Sequence, residues 1–98
     1  MQVLHLTLHR KWFDQILAGT KKIEYREIKP YWTKRLFNLN GTPKKFDVIF
    51  FKNGYAKDCP KMAVECKGIQ KLTLKKEING MKEEEEVYGI ELGKIIKN

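Results

Sequence analysis

The sequence has no apolar stretch approaching the ~20 residues of a membrane-spanning helix. It also opens without the basic lead and apolar run of a secretory signal. No membrane partner is therefore expected, and the expected compartment is the cytoplasm. Cysteine is scarce: Cys59 and Cys66 are the only two, and six residues separate them. A disulfide between them stays open from sequence alone, although reduced thiols are the cytoplasmic default. Without a CxxC pair they do not make a zinc site. Histidine is equally scarce. His5 and His9 fall on or just past a strand, where four residues span roughly 13 Å, too far for one ion. Neither a metal nor a cofactor is expected.

Acids are the third shortage. Twelve Asp and Glu face twenty Lys and Arg, which leaves a net charge of +8. Four of the acids lie in one run, Glu83 to Glu86, so the other ninety-four residues carry twenty cations against eight acids, or +12. A basic body argues for an anionic partner, most often nucleic acid. The competing reading is a solubility surface, since 17 of the 20 cations are lysines. Charge alone leaves both open.

What is present suits one small domain over residues 1–98. The chain has 98 residues, 42% of them apolar and 11% aromatic, too rich in core formers for disorder. Such a length buries one modest core and leaves no room for a second. A monomer is the expected state.

Leu4, Leu6 and Leu8 alternate with Val3, His5 and Thr7, the pattern of a half-buried strand. Trp12, Phe13, Ile16 and Leu17 then recur at one-face helical spacing, and Gly19 stands where a glycine would stop the helix, giving a short helix over about 10–18. Lys22 to Ile28 returns to period two, with Ile23 and Tyr25 on one face and Glu24 and Arg26 on the other. Pro30 suits the first position of a second helix. Phe46 to Phe51 is a nearly continuous apolar run, the pattern of a central strand. Met62 to Ile69 alternates and extends toward Leu74. Asn79-Gly80 is a hairpin signal, and Val87 to Ile96 closes the chain as a strand, with Glu83 to Glu86 solvated before it. The predicted order β-α-β-α-β-β-β is α+β. Five or six strands around so small a core favour a curled sheet or small barrel, with two short helices in the N-terminal half.

Chemistry-bearing residues concentrate between positions 12 and 36, WFDQILAGTKKIEYREIKPYWTKRL. Gly19 ends a helix, so Lys21 follows a tight turn and is aimed by the backbone. Glu24 and Arg26 project from one strand face roughly 6–7 Å apart. A lysine, a carboxylate and an arginine converging on a cleft can bind phosphate, or polarise a carbonyl while moving a proton. The plain alternative is a same-face ion pair beside a solvated turn lysine. Glu65 is a second carboxylate, set in an otherwise apolar strand. Facing a cleft it would pair with Lys21 or Arg26, and facing outward it is merely solvated.

The run Ile16 to Arg26, with its glycine, lysine and Glu-x-Arg strand, resembles the signature of the ASCH domain family. The strands Asp47 to Phe51 and Val64 to Cys66, and the closing segment Tyr88 to Ile96, extend the resemblance over nearly the whole chain. The resemblance implies a PUA-like β-barrel in which the segment around Lys21, Glu24 and Arg26 lines a ligand cleft. One branch of similar proteins removes the acetyl group of N4-acetylcytidine with a lysine, a threonine and a glutamate, and ribonuclease activity is also attributed to the family. Lys21 and Glu65 match that lysine and glutamate, but Glu24 stands at the threonine position. Thr20 and Thr7 are near in sequence, without a sign that either substitutes.

Aromatic and basic residues interleave in the segment Tyr25, Arg26, Lys29, Tyr31, Trp32, Lys34 and Arg35, and a weaker mix recurs at Tyr55 and Lys57. Single-stranded RNA is held by stacking bases on aromatic faces while cations hold phosphates. Aromatics on a short helix also anchor it to a core, and at least one of Tyr31 and Trp32 is expected to do so.

Three readings follow. The leading one is an RNA- or nucleotide-binding module in which Arg26, Lys29, Lys34 and Arg35 meet phosphates and Tyr31 or Trp32 stacks a base, with Thr7, Tyr55 and Lys57 nearby. The second is a small metal-independent hydrolase of a modified nucleoside or RNA, with Lys21, Glu24 and Glu65 as catalytic groups. The third is a protein-interaction module.

Overall fold

The computed structural model describes residues 1–97. It follows the predicted order: β1 (Val3–Thr7), α1 (Arg10–Leu17), β2 (Ile23–Glu27), α2 (Pro30–Leu36), β3 (Val48–Lys52), β4 (Lys61–Ile78) and β5 (Met81–Lys97). The architecture is α+β, with one mixed five-stranded sheet in the order β1-β3-β4-β5-β2. β1 runs parallel to β3, and the other pairings are antiparallel. No helix among the described residues is long and apolar enough to cross a membrane.

Burial explains which faces turn inward. Leu4 and Leu6 of β1 are buried, as are Ile49 and Phe51 of β3, Met62 and Val64 of β4, and Ile90 and Leu92 of β5. Phe13 and Ile16 of α1 and Leu36 of α2 join the same core. Each such side chain contributes about 1.5–3 kcal/mol by leaving water, and together they pin both helices to one face of the sheet. Trp12 and Leu17 depart from the single apolar face read for α1, since both are more than a third exposed. An eight-residue helix presents too narrow a stripe to bury both neighbours of Phe13 and Ile16.

β4 also departs from simple alternation. Its register against β5 slips between Ala63 and Gly68, so Ile69 joins Met62 and Val64 in the core instead of facing away. A bulge inserts residues and reverses which positions face inward. Up to Glu65, β4 also pairs with β3, and β2 engages β5 only from Val87 to Glu91. The remainder, about Thr73 to Glu86, is a two-stranded ribbon closed by Asn79-Gly80, both with positive φ (54° and 78°), as a tight hairpin turn requires. β5 therefore begins six residues before the expected Val87, because Glu83 to Glu86 pair with Thr73 to Lys76 while their side chains stay in solvent.

The sheet is not closed by backbone pairing. β1 and β2 are its two edges and pair with inner strands only. Their near ends meet through a side chain: Arg26 Nη2 of β2 donates to the carbonyl of Thr7, at 3.2 Å, at the end of β1. The curled sheet thus leaves a seam where a barrel would have a pairing.

Candidate functional site: an aromatic cleft on a buried ion cluster

β2 is amphipathic in an unusual sense. Its charged face is the inner one: Glu24 is only 5% exposed, whereas Tyr25 faces outward and is partly exposed. An unpaired carboxylate at that depth would cost several kcal/mol. Its two oxygens are matched separately. Arg26 Nη2 donates to Oε2 at 2.7 Å, and Lys21 Nζ lies 3.6 Å from Oε1. The first contact is a charge-assisted hydrogen bond and the second an ion pair.

Lys21 reaches Glu24 because of how α1 ends. Gly19 adopts φ 81°, and the amides of Ala18 to Lys21 fold back onto the carbonyls of Asp14, Gln15 and Ile16. Such a glycine stop turns the chain within two residues, so Lys21 enters β2 with its ammonium over the rings of Trp12 (5.0 Å) and Tyr25 (4.8 Å). The guanidinium of Arg26 lies over Trp32 at 4.7 Å. Its Nε is buried and makes no hydrogen bond within the protein.

These groups line a cleft of about 810 Å³ at the seam. Thr7, Leu8 and His9 come from the end of β1, Trp12 from α1 and Trp32 from α2. Gly54 and Tyr55 come from the loop after β3, Tyr55 with 93% of its surface exposed. Glu27 completes the rim, so two carboxylates balance Lys21 and Arg26. The cleft is walled by rings and carries both acceptors and donors, without a strong excess of one charge. A flat heteroaromatic group with polar edges fits that lining.

Of the residues singled out from sequence, Thr7, Lys21, Glu24, Arg26, Trp32 and Tyr55 come together here. Trp32 also packs against the core, as one of the two α2 aromatics was expected to. Glu65 stays outside the cleft. It is exposed on β4, opposite Val48, with its carboxylate against Gly93, where a Cβ would come within 2.0 Å of Oε1. The outward face read for it as the alternative is the one observed. Arg35 and Tyr31 are not in the cleft lining but adjoin it through Trp32: the Arg35 guanidinium lies 5.3 Å from the Trp32 ring and Tyr31 meets that ring edge-on, while Arg35 donates to the Tyr31 hydroxyl at 3.2 Å and to the carbonyl of His5 at 2.9 Å. Lys57 lies on the exposed loop, its carbonyl accepting from Lys61 Nζ. Lys29 and Lys34 line a second groove of about 810 Å³ beside α2.

Sequence reasoning placed Trp12 in the core and weighed His9 only as a metal ligand, not as part of a cleft. The signal for Trp12 was the adjacent pair Trp12-Phe13, since consecutive helical residues lie about 100° apart and both cannot point at one sheet. Among the thiols, Cys59 and Cys66 are both free. Burial pushes the Cys66 thiol above the usual range, with the Asp47 carboxylate adding to the effect, so it stays protonated and is a poor nucleophile. No group of three or more metal-ligating side chains occurs among the described residues. Compared with protein-family models, curated proteins and solved structures, the chain matches none.

Proposed function

We propose that the seam cleft binds RNA or a nucleotide by taking one nucleobase between its aromatic walls. The observation that carries this reading is the buried Glu24 clamped by Lys21 and Arg26 at the base of a cleft walled by Trp12, Tyr25 and Trp32. Stacking on such rings is worth about 1–3 kcal/mol per base. Glu24 accepts from an exocyclic amino group, and the cationic heads of Lys21 and Arg26 beside it favour an acceptor on the same base edge. Holding the carboxylate with two cations before a base arrives removes the need to reorganise on binding. The ASCH-like signature around Lys21, Glu24 and Arg26 supports the same reading, as does the +8 charge. In that reading the fold is PUA-like.

A thermal-shift series with nucleosides, nucleotides and short RNAs tests it. A ligand at ~100 times its Kd adds about 2.7 kcal/mol to the folded state, which raises Tm by about 10–20 °C in a domain of this size. Lys21→Ala should abolish the shift. No shift with any of these ligands overturns the reading and favours a protein-interaction module.

The hydrolase reading is favoured by one observation, the placement of Lys21, Glu24 and Thr7 around a single cleft. In it, Glu24 takes a proton from water as the water attacks the acetyl carbonyl of an N4-acetylcytidine-like substrate, Lys21 steadies the oxyanion, and Glu24 passes that proton to the departing N4 nitrogen as the C–N bond breaks to give acetate and cytidine. With Glu65 outside the cleft, Glu24 is the one of the two carboxylates read from sequence that is left for the task. Cytidine release from N4-acetylcytidine, followed by chromatography, distinguishes it from binding alone.

A further inference from the structure

The second groove lies immediately beside the first. Glu27 lines the seam cleft, and the next two residues, Ile28 and Lys29, line the groove, so the link between β2 and α2 forms the ridge separating them. α2 serves both sides, presenting Trp32 to the cleft and Pro30, Thr33 and Lys34 to the groove. The two differ in charge. The cleft balances two cations with two carboxylates, while the groove has Lys29, Lys34 and Lys44 and no acid in its lining. Lys34 and Lys44 form no ion pair among the described residues, and Lys29 pairs with the exposed Glu27. Between the lysines lie Ile28, Phe37 and Leu39, the last fully exposed.

We infer that this groove holds the sugar-phosphate backbone and a flanking base of single-stranded RNA whose adjacent base occupies the seam cleft. The inference rests on the nucleotide reading of that cleft and makes the preferred ligand a strand rather than a mononucleotide. Charge complementarity selects the occupant. Three lysines, two of them unpaired and the third paired only with the exposed Glu27, match a polyanion, and the apolar side chains among them give an unstacked base a surface to cover. The division of labour follows: the neutral cleft reads a base edge, and the cationic groove fixes position through phosphates.

Fluorescence anisotropy with a labelled mononucleotide and a labelled single-stranded RNA of about eight nucleotides, a length within one domain's site size, tests this. For the wild-type chain, the longer ligand should bind at least tenfold tighter at about 50 mM salt. Combined Lys29→Ala, Lys34→Ala and Lys44→Ala should remove that advantage. It should also flatten the dependence of log affinity on log salt by about 2, from three contacts at about 0.7 each. Leu39→Glu, at a fully exposed position and so without cost to the fold, should weaken the same ligand in the same direction. An RNA no tighter than the mononucleotide overturns the inference and leaves the cleft reading intact. So does a triple variant that binds RNA unchanged but loses an acidic peptide, which would assign the groove to a protein partner. If neither nucleotide nor RNA binds the wild-type chain, both readings fall.

Discussion

Two clusters of cations and glutamates occupy opposite situations in this protein. In the seam cleft, Glu24 is buried between Lys21 and Arg26. On the projecting ribbon, Glu83 to Glu86 run beside Lys75 and Lys76, and the Lys76–Glu85 contact of 3.0 Å leaves both side chains about half exposed. Both set cationic side chains against glutamates, and the contacts are comparably short. Burial separates them: in the ribbon, water and salt satisfy either partner alone, whereas in the cleft removing one partner strands the others. The ribbon pair is surface chemistry, and the cleft cluster is a preset arrangement with a structural cost, as functional sites often have.

The largest effect should follow Glu24→Ala. Lys21 and Arg26 would keep their charges in a largely buried setting, so the expected loss is about 3 kcal/mol of stability, at the lower end for a broken buried pair because both cations retain some exposure. Chemical denaturation measures it, and a loss under about 1 kcal/mol would make the cluster equivalent to the ribbon. Arg26→Lys should cost less, about 1–2 kcal/mol, since the charge stays but the planar fork that reaches both Glu24 and the Thr7 carbonyl is lost. The same variant should weaken nucleotide binding more than it weakens folding, because the planar guanidinium over the Trp32 ring at the cleft wall disappears. Lys76→Ala stands at the bottom, within about 0.5 kcal/mol, and that small change should vanish at high salt.

The same comparison marks how far the sequence could be read. The leucine alternation of β1, the glycine stop of α1, Pro30 at the start of α2 and the Asn79-Gly80 turn are local signals, and each appears where local chemistry puts it. Glu24 and Arg26 were legible as same-face partners of Lys21. Which face of β2 turned inward was not, because alternation defines two faces without ranking them, and here the charged face won through mutual pairing. Glu65 shows the converse. An acid in an apolar strand invites a site, but its neighbours across the sheet leave it in solvent. The β4 register slip and the open β1–β2 seam depend on contacts between residues far apart in the chain, which no local pattern encodes. The seam matters most for the proposed function, since it makes the cleft.

The most direct measurement uses a coincidence of composition. Trp12 and Trp32 are the chain's only two tryptophans, and both line the cleft. Intrinsic tryptophan fluorescence therefore reports from that site alone. On titration with single-stranded RNA or a nucleotide at about 50 mM salt, the emission should be quenched to saturation, and the affinity of the RNA should fall as salt rises. Emission that stays unchanged while the protein remains folded would contradict base stacking in the cleft, and with it the proposed function.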